Sequence, residues 1–146
     1  MKLKKLSNKK RNDYKSSFKK LIKYAEKQGL EVECGNGYID EIAHEYKLIR
    51  INTRYRIDQQ VFTLAHELGH WFIRKDDKKF KSRYPLRATC KNRRVTYTDR
   101  YRFEEIQEEY EAWKKGREIL NRLKIPFDEE EFHKTEVSSV MTYIKI

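Results

Sequence analysis

The sequence predicts an α+β fold, with a small antiparallel sheet packed on a buried helix and on a second long helix. Three observations carry this expectation. Residues 56–75 are apolar over most of a helical circumference, residues 30–52 fall into short β-rich runs divided by turn residues, and residues 101–123 repeat apolar positions at helical spacing. A length of 146 residues suits a single domain spanning 1–146.

Each element follows from its residues. Residues 1–12 are polar and strongly basic and are expected to form a flexible tail. Tyr14, Phe18, Leu21, Ile22 and Ala25 then recur at helical spacing, and Gly29 is placed to end that helix. Val32 and Cys34, followed by Asn36-Gly37, read as a strand entering a tight hairpin. Residues 38–43 and 46–51 supply two further strands, and the stretch 46–52 is expected to be an edge to which an extended peptide can add. Asp58 is the expected N-cap of the next helix, where Val61, Phe62, Leu64, Ala65, Leu68, Trp71 and Phe72 leave little polar surface. Periodicity disappears over 75–100, which reads as a long basic loop with a strand at 95–98. The helix at 101–123 stops before Ile125-Pro126, because a residue preceding proline is disfavoured in the helical region. Asp128 is placed to cap a short acidic helix, and 137–146 close the chain as a helix or strand.

Composition narrows the classes of function. Hydrophobic residues make up 38 % and charged residues 39 %, so a modest core carries a heavily solvated surface. No stretch approaches the roughly 18 consecutive apolar residues of a membrane helix, and the basic start has no apolar region behind it. Cys34 and Cys90 form no paired framework, which agrees with a reducing compartment; the expected location is the cytoplasm. Net charge is +11 and is unevenly placed, with ten Lys/Arg against one acid in residues 1–24 and twelve against three in 74–102. Two such segments attract nucleic acid or an acidic partner through a sequence-independent field, or else form solvated extensions.

The chemistry concentrates in His66-Glu67-Leu68-Gly69-His70, an HExxH sequence inside the buried helix. Histidines four apart share one helical face, so both imidazoles can meet one zinc ion at roughly 2.0–2.1 Å. Glu67 is rotated by about 100° from His66, which suits a general base acting on water rather than a ligand. Buried histidines and a glutamate with no metal to bind would be costly to desolvate.

The run Phe62-Thr63-Leu64-Ala65-His66-Glu67-Leu68-Gly69-His70, preceded by Leu48-Ile49-Arg50-Ile51-Asn52, resembles the ImmA/IrrE-like family of zinc metallopeptidases, as does Glu109-Tyr110-Glu111-Ala112 with Gly116 and Ile119-Leu120. The resemblance covers roughly residues 38–124 and implies a zincin-like fold, a gluzincin-type site and peptide-bond hydrolysis. It implies Glu111 as the third metal ligand. The helical wheel leaves this open: Glu111 points away from the face of Phe103, Ile106, Tyr110, Trp113 and Leu120, Glu109 and Glu105 lie nearer that arc, and Glu108 borders the face of Ala112 and Ile119. Trp113 and Lys115 depart from the family pattern, which has a small polar and an aromatic residue there. His133, Tyr143 and Tyr101 are candidates for stabilising an oxyanion, and His44 reads as structural.

The resemblance also implies a protein substrate, because such proteins often act on DNA-binding regulators in bacteria, phages and mobile elements. Two rivals stand beside the peptidase reading: a catalytically inactive adaptor or nucleic-acid-binding module, and a purely structural zinc site. Retention of Glu67 argues against both, since a metal site that does not activate water has no use for it.

Overall fold

The computed structural model describes residues 5–89 and 91–144, so Cys90 and the ends of the chain lie outside the described residues. The order of elements is α1 (Asn8–Lys27), β1 (Glu31–Gly35), β2 (Glu41–Ala43), a 3-10 turn (His44–Tyr46), β3 (Leu48–Asn52), α2 (Ile57–Lys75), α3 (Asp77–Arg83), α4 (Pro85–Thr89), α5 (Arg93–Thr96), α6 (Asp99–Arg122) and α7 (Glu129–Ile144). The chain forms two compact units, Met1–Leu64 and Ala65–Ile146, with the boundary inside α2. This is an α+β architecture consistent with a zincin-like fold.

In the first unit, α1 starts well before the periodic residues that announced it. Ser7 caps it by accepting from the Lys10 amide, so residues 8–12, expected as a flexible tail, are helical. Their Lys, Arg and polar side chains favour helix without marking a buried face, which is why periodicity missed them. Tyr14, Phe18, Leu21 and Ala25 face inward, and Tyr14 meets Phe62 of α2 edge-on at 6.1 Å.

The sheet is mixed rather than antiparallel. Its order is β1-β3-β2, with β1 parallel and β2 antiparallel to β3. Asn36-Gly37 does turn, with Gly37 at φ +82°, but the turn does not return the chain as a hairpin partner of β1. Instead Asn52, at the end of β3, accepts from the Gly37 amide at 3.0 Å, and its own amide donates to Asp40 at 2.7 Å. Those bonds draw β3 between the other strands. The stretch 46–52 is therefore no free edge, because β3 is paired on both sides. Ile49 and Ile51 are fully buried, while Arg50 on the opposite face reaches Glu33 and Glu41, its partners on the two flanking strands, at 3.4 and 3.7 Å.

Helix α2 is apolar because it is buried: Val61, Phe62, Leu64, Ala65 and Leu68 have no solvent exposure. Asp58 lies one residue inside its start rather than at the cap, and its buried carboxylate receives two 2.7 Å hydrogen bonds from Arg56.

In the second unit, residues 75–100 are not a loop among the described residues. They fold into α3, capped by Asp76, then α4, then α5, capped by Asn92, so the strand expected at 95–98 is absent. Each helix is too short for its apolar period to register in the sequence. Helix α6 is capped by Thr98 and ends at Arg122, and Lys124, at φ +56°, turns the chain away from the helix ahead of Pro126. It buries Glu104, Glu108, Glu109, Ala112, Trp113, Gly116, Ile119 and Leu120. Phe103 and Tyr110 are exposed whereas Trp113 and Leu120 are buried, so the aromatic stripe is only partly turned inward, and the small-residue stripe is the one that lies against α2. Asp128 caps the last helix by accepting from the Glu131 amide, and α7 then runs unbroken through Ile144.

Candidate metal centre

Helices α2 and α6 approach closely at two glycines. A Cβ on Gly69 would collide with the Ala112 carbonyl oxygen, and one on Gly116 would lie 2.9 Å from the Ala65 carbonyl. This approach brings the HExxH face of α2 against the carboxylates one turn before Ala112.

His66, His70 and Glu109 converge there. All three are buried, and each offers a ligand atom within 4.8 Å of the other two. His66 Nε2 lies 3.0 Å from Glu109 Oε2, and His70 Nε2 lies 3.2 Å from Glu109 Oε1. Tetrahedral ligands about 2.0–2.1 Å from a zinc ion stand roughly 3.3–3.4 Å apart, inside the 4.8 Å within which the three donor atoms gather. Glu109 Oε2 finds no hydrogen bond of good geometry among the described residues, and neither does His66 Nδ1. Two imidazole nitrogens and one carboxylate oxygen form a donor set that suits zinc.

Glu111 is not in this group. Its carboxylate points outward and pairs with Arg83 at 3.0 Å. Residue 111 is rotated by about 100° from residue 112, the position packed against α2, whereas 108 and 109 stand one turn before it on the same side. The first glutamate of the E-x-E-A run thus faces the histidines, and the second faces Arg83.

Glu108, the alternative ligand, takes a different place. Fully buried, it meets the outer nitrogen of His70, with Oε2 at 2.7 Å from Nδ1. The same carboxylate accepts from Arg74 at 3.2 and 2.9 Å and from Arg87 at 3.3 Å. Consecutive glutamates therefore hold His70 at both ring nitrogens.

Electrostatics follow from these contacts. Burial alone would lower the His70 pKa, but its hydrogen bonds to Glu108 and Glu109 and the nearby Glu67 charge raise it to about 10. Burial alone would raise the Glu108 pKa, yet the hydrogen bonds from His70 and Arg74 bring it down to about 2. Glu109 is likewise held well below the usual carboxylate range against its burial, by both histidines.

Glu67 is buried beside this group, and its charge acts on both His70 and Tyr143. Of the oxyanion candidates, Tyr143 of α7 reaches the site: its hydroxyl hydrogen-bonds the Glu109 carboxylate, and burial together with the Glu109 charge pushes its pKa up. His133 lies on the surface beside Glu136, and the Tyr101 hydroxyl accepts from Arg87 at 2.9 Å. His44 sits in the turn His44–Tyr46 of the first unit.

Trp113, a departure from the family pattern, stacks on His66 with ring centroids 4.2 Å apart and planes 18° apart, and Phe132 of α7 backs it edge-on. Three site residues escaped sequence reading in their observed roles, namely Glu109, Arg74 and Arg87. The small stripe Ala112-Gly116 was the available signal for Glu109, because it marks the face of α6 that can touch another backbone.

Among the described residues no helix is long and apolar enough to cross a membrane. No curated protein and no solved structure matches the chain. The IrrE N-terminal-like domain of peptidase family M78 matches residues 25–112, a span that includes the HExxH helix and Glu109. Over more than half its length, and through the residues that form the candidate metal centre, the chain belongs to the IrrE N-terminal-like peptidase family.

Proposed function

We propose that the protein is a zinc-dependent metallopeptidase in which His66, His70 and Glu109 hold the metal and Glu67 is the general base. The observation that carries this reading is the convergence of two imidazoles and one carboxylate in a buried cluster, with a further carboxylate on the same helix. A zinc ion bound there would polarise the scissile carbonyl and lower the pKa of water towards about 7.

The chain's own groups do the rest. Glu67 takes the proton from the attacking water and delivers it to the departing amine. Glu109 and the two imidazoles leave a fourth position open, as a catalytic rather than a structural site requires. Tyr143 brings a phenol hydroxyl to the Glu109 carboxylate and is the donor we assign to the oxyanion of the tetrahedral adduct. The substrate we assign is a protein, with DNA-binding regulators as the class that the family resemblance suggests.

Glu67→Gln tests the assignment. The change is nearly isosteric, so zinc content should match the parent protein while hydrolysis of a cleaved protein substrate is lost. Undiminished turnover at equal zinc content would remove Glu67 from the mechanism. His66→Ala should lose the zinc itself, and equal metal in both proteins would remove the site.

A further inference from the structure

We propose that Glu108, clamped by Arg74 and Arg87, is a positioning residue that fixes His70 as an Nε2 metal ligand, and that the basic segment after α2 is an internal brace of the metal site. The inference rests on the metal-site reading above.

A buried carboxylate is stable only when its oxygens are satisfied, and Glu108 is satisfied on both. Oε2 receives His70 Nδ1 and Arg74 Nε, and Oε1 receives Arg74 Nη2 and Arg87 Nε. With two guanidiniums against it, the group is an anion and only accepts hydrogen bonds. Nδ1 of His70 must therefore keep its proton, so Nε2, 3.2 Å from Glu109 Oε1, is the nitrogen that would give up its proton to bind a metal ion. His66 has no such support: its Nδ1 finds no partner among the described residues, and the ring is held by its stack on Trp113. The two histidines are thus unequal, and His70 is the oriented one.

The brace extends along α6. Arg87 also reaches Glu105 at 3.3 Å and the Tyr101 hydroxyl at 2.9 Å. Glu104 accepts from the Leu86 and Arg87 amides at the start of α4, and Arg83 pairs with Glu111. Carboxylates at 104, 105, 108 and 111 lie within two turns of α6, and each takes up groups from the basic segment or the end of α2. Arg74, Arg83 and Arg87 consequently point at the helix that carries Glu109.

Zinc affinity of the full chain, measured by competition with a chromogenic chelator on protein shown to be folded by circular dichroism, tests this. Glu108→Leu should weaken zinc binding by about 10–100-fold, the usual cost of losing such an outer hydrogen bond. Glu108→Gln should fall between it and the parent, because the amide oxygen still accepts from Nδ1–H but no longer anchors on the guanidiniums. The visible spectrum of the cobalt-loaded Gln variant should shift as well, which a purely structural role would not produce. Glu118→Gln, which removes an exposed pair with Lys115 outside the brace, should leave both readouts unchanged.

Parental zinc affinity and an unaltered cobalt spectrum in folded Glu108→Leu would overturn the positioning role while leaving the metal reading intact. Should the leucine variant fail to fold, the same result in Glu108→Gln overturns it. Failure of the parent protein to bind zinc would overturn the metal reading, and this inference with it.

Discussion

At the scale of single residues, the decisive contacts are those on His70. In the metal-free protein its pKa of about 10 lies above the ordinary 6.5, so the protonated ring's contacts stabilise the fold fully below about pH 6.5 and are lost as pH rises towards 10. Glu108 works in the opposite sense: lowered from 4.5 to about 2, it contributes fully above about pH 4.5 and less as pH falls through 2. The melting temperature of chelator-treated protein should therefore be highest between about pH 4.5 and 6.5 and fall on the alkaline side. A melting temperature that stays level or climbs from pH 7 to 10 would contradict the His70 clamp. Zinc must displace the Nε2 proton, so its affinity should rise with pH over the same interval, a trend that titration at several pH values would reveal. The third ligand proposed above is tested at this scale too. Glu109→Ala should sharply reduce zinc retention, whereas Glu111→Ala should change it little, and equilibrium dialysis of both variants would expose the reverse order.

At the scale of elements, the site exists because α2 and α6 touch backbone to backbone. Gly69 and Gly116 are needed for what they lack, since an added methyl at either meets main-chain atoms that cannot swing aside. Alanine usually favours a helix over glycine by about 1 kcal/mol. Here the overpacking, typically about 1–3 kcal/mol, should win. Urea denaturation should accordingly find Gly69→Ala less stable than the parent, with weaker zinc binding because α6 is pushed away from the histidines. A stabilised variant would mean that the helices separate at no cost. Trp113 belongs to this scale as well: its ring carries His66 on one side and meets Phe132 of α7 on the other, which ties the last helix to the ligand set.

At the scale of the whole molecule, the net charge of +11 divides into two populations. Arg74, Arg83 and Arg87 are consumed by carboxylates of α6, and the basic segment after α2 therefore presents less free charge than its composition implied. Helix α1 differs: Lys9, Lys10, Lys15, Lys19 and Lys23 are all exposed. Association with duplex DNA or another polyanion should follow these lysines. Replacing Lys9, Lys10, Lys19 and Lys23 by glutamine should weaken it and flatten its salt dependence, by a slope of roughly 0.9 for each phosphate that is no longer neutralised. Binding at low salt that does not respond to the substitutions would make α1 a solvated face.

The sequence by itself was enough to place His66, Glu67 and His70 on one buried helix, because a four-residue spacing and an apolar circumference are local properties of the chain. It was also enough for the α+β class and for the family, whose signature runs are contiguous. What only the tertiary structure decided depends on which faces meet. Sheet order turned on contacts at the end of β3, where the Asn52 side chain accepts from the Gly37 amide and the Asn52 amide donates to the Asp40 carboxylate. Which of Glu105, Glu108, Glu109 and Glu111 came to face both histidines turned on which stripe of α6 could approach α2. The aromatic stripe was the more conspicuous in the sequence, but the small residues permitted contact between the backbones. A helical wheel ranks faces by hydrophobicity and cannot register that a missing Cβ admits a neighbouring backbone. For the same reason the arginines of 74–87 read as solvated charge, because their carboxylate partners lie 18 to 34 residues further along the chain.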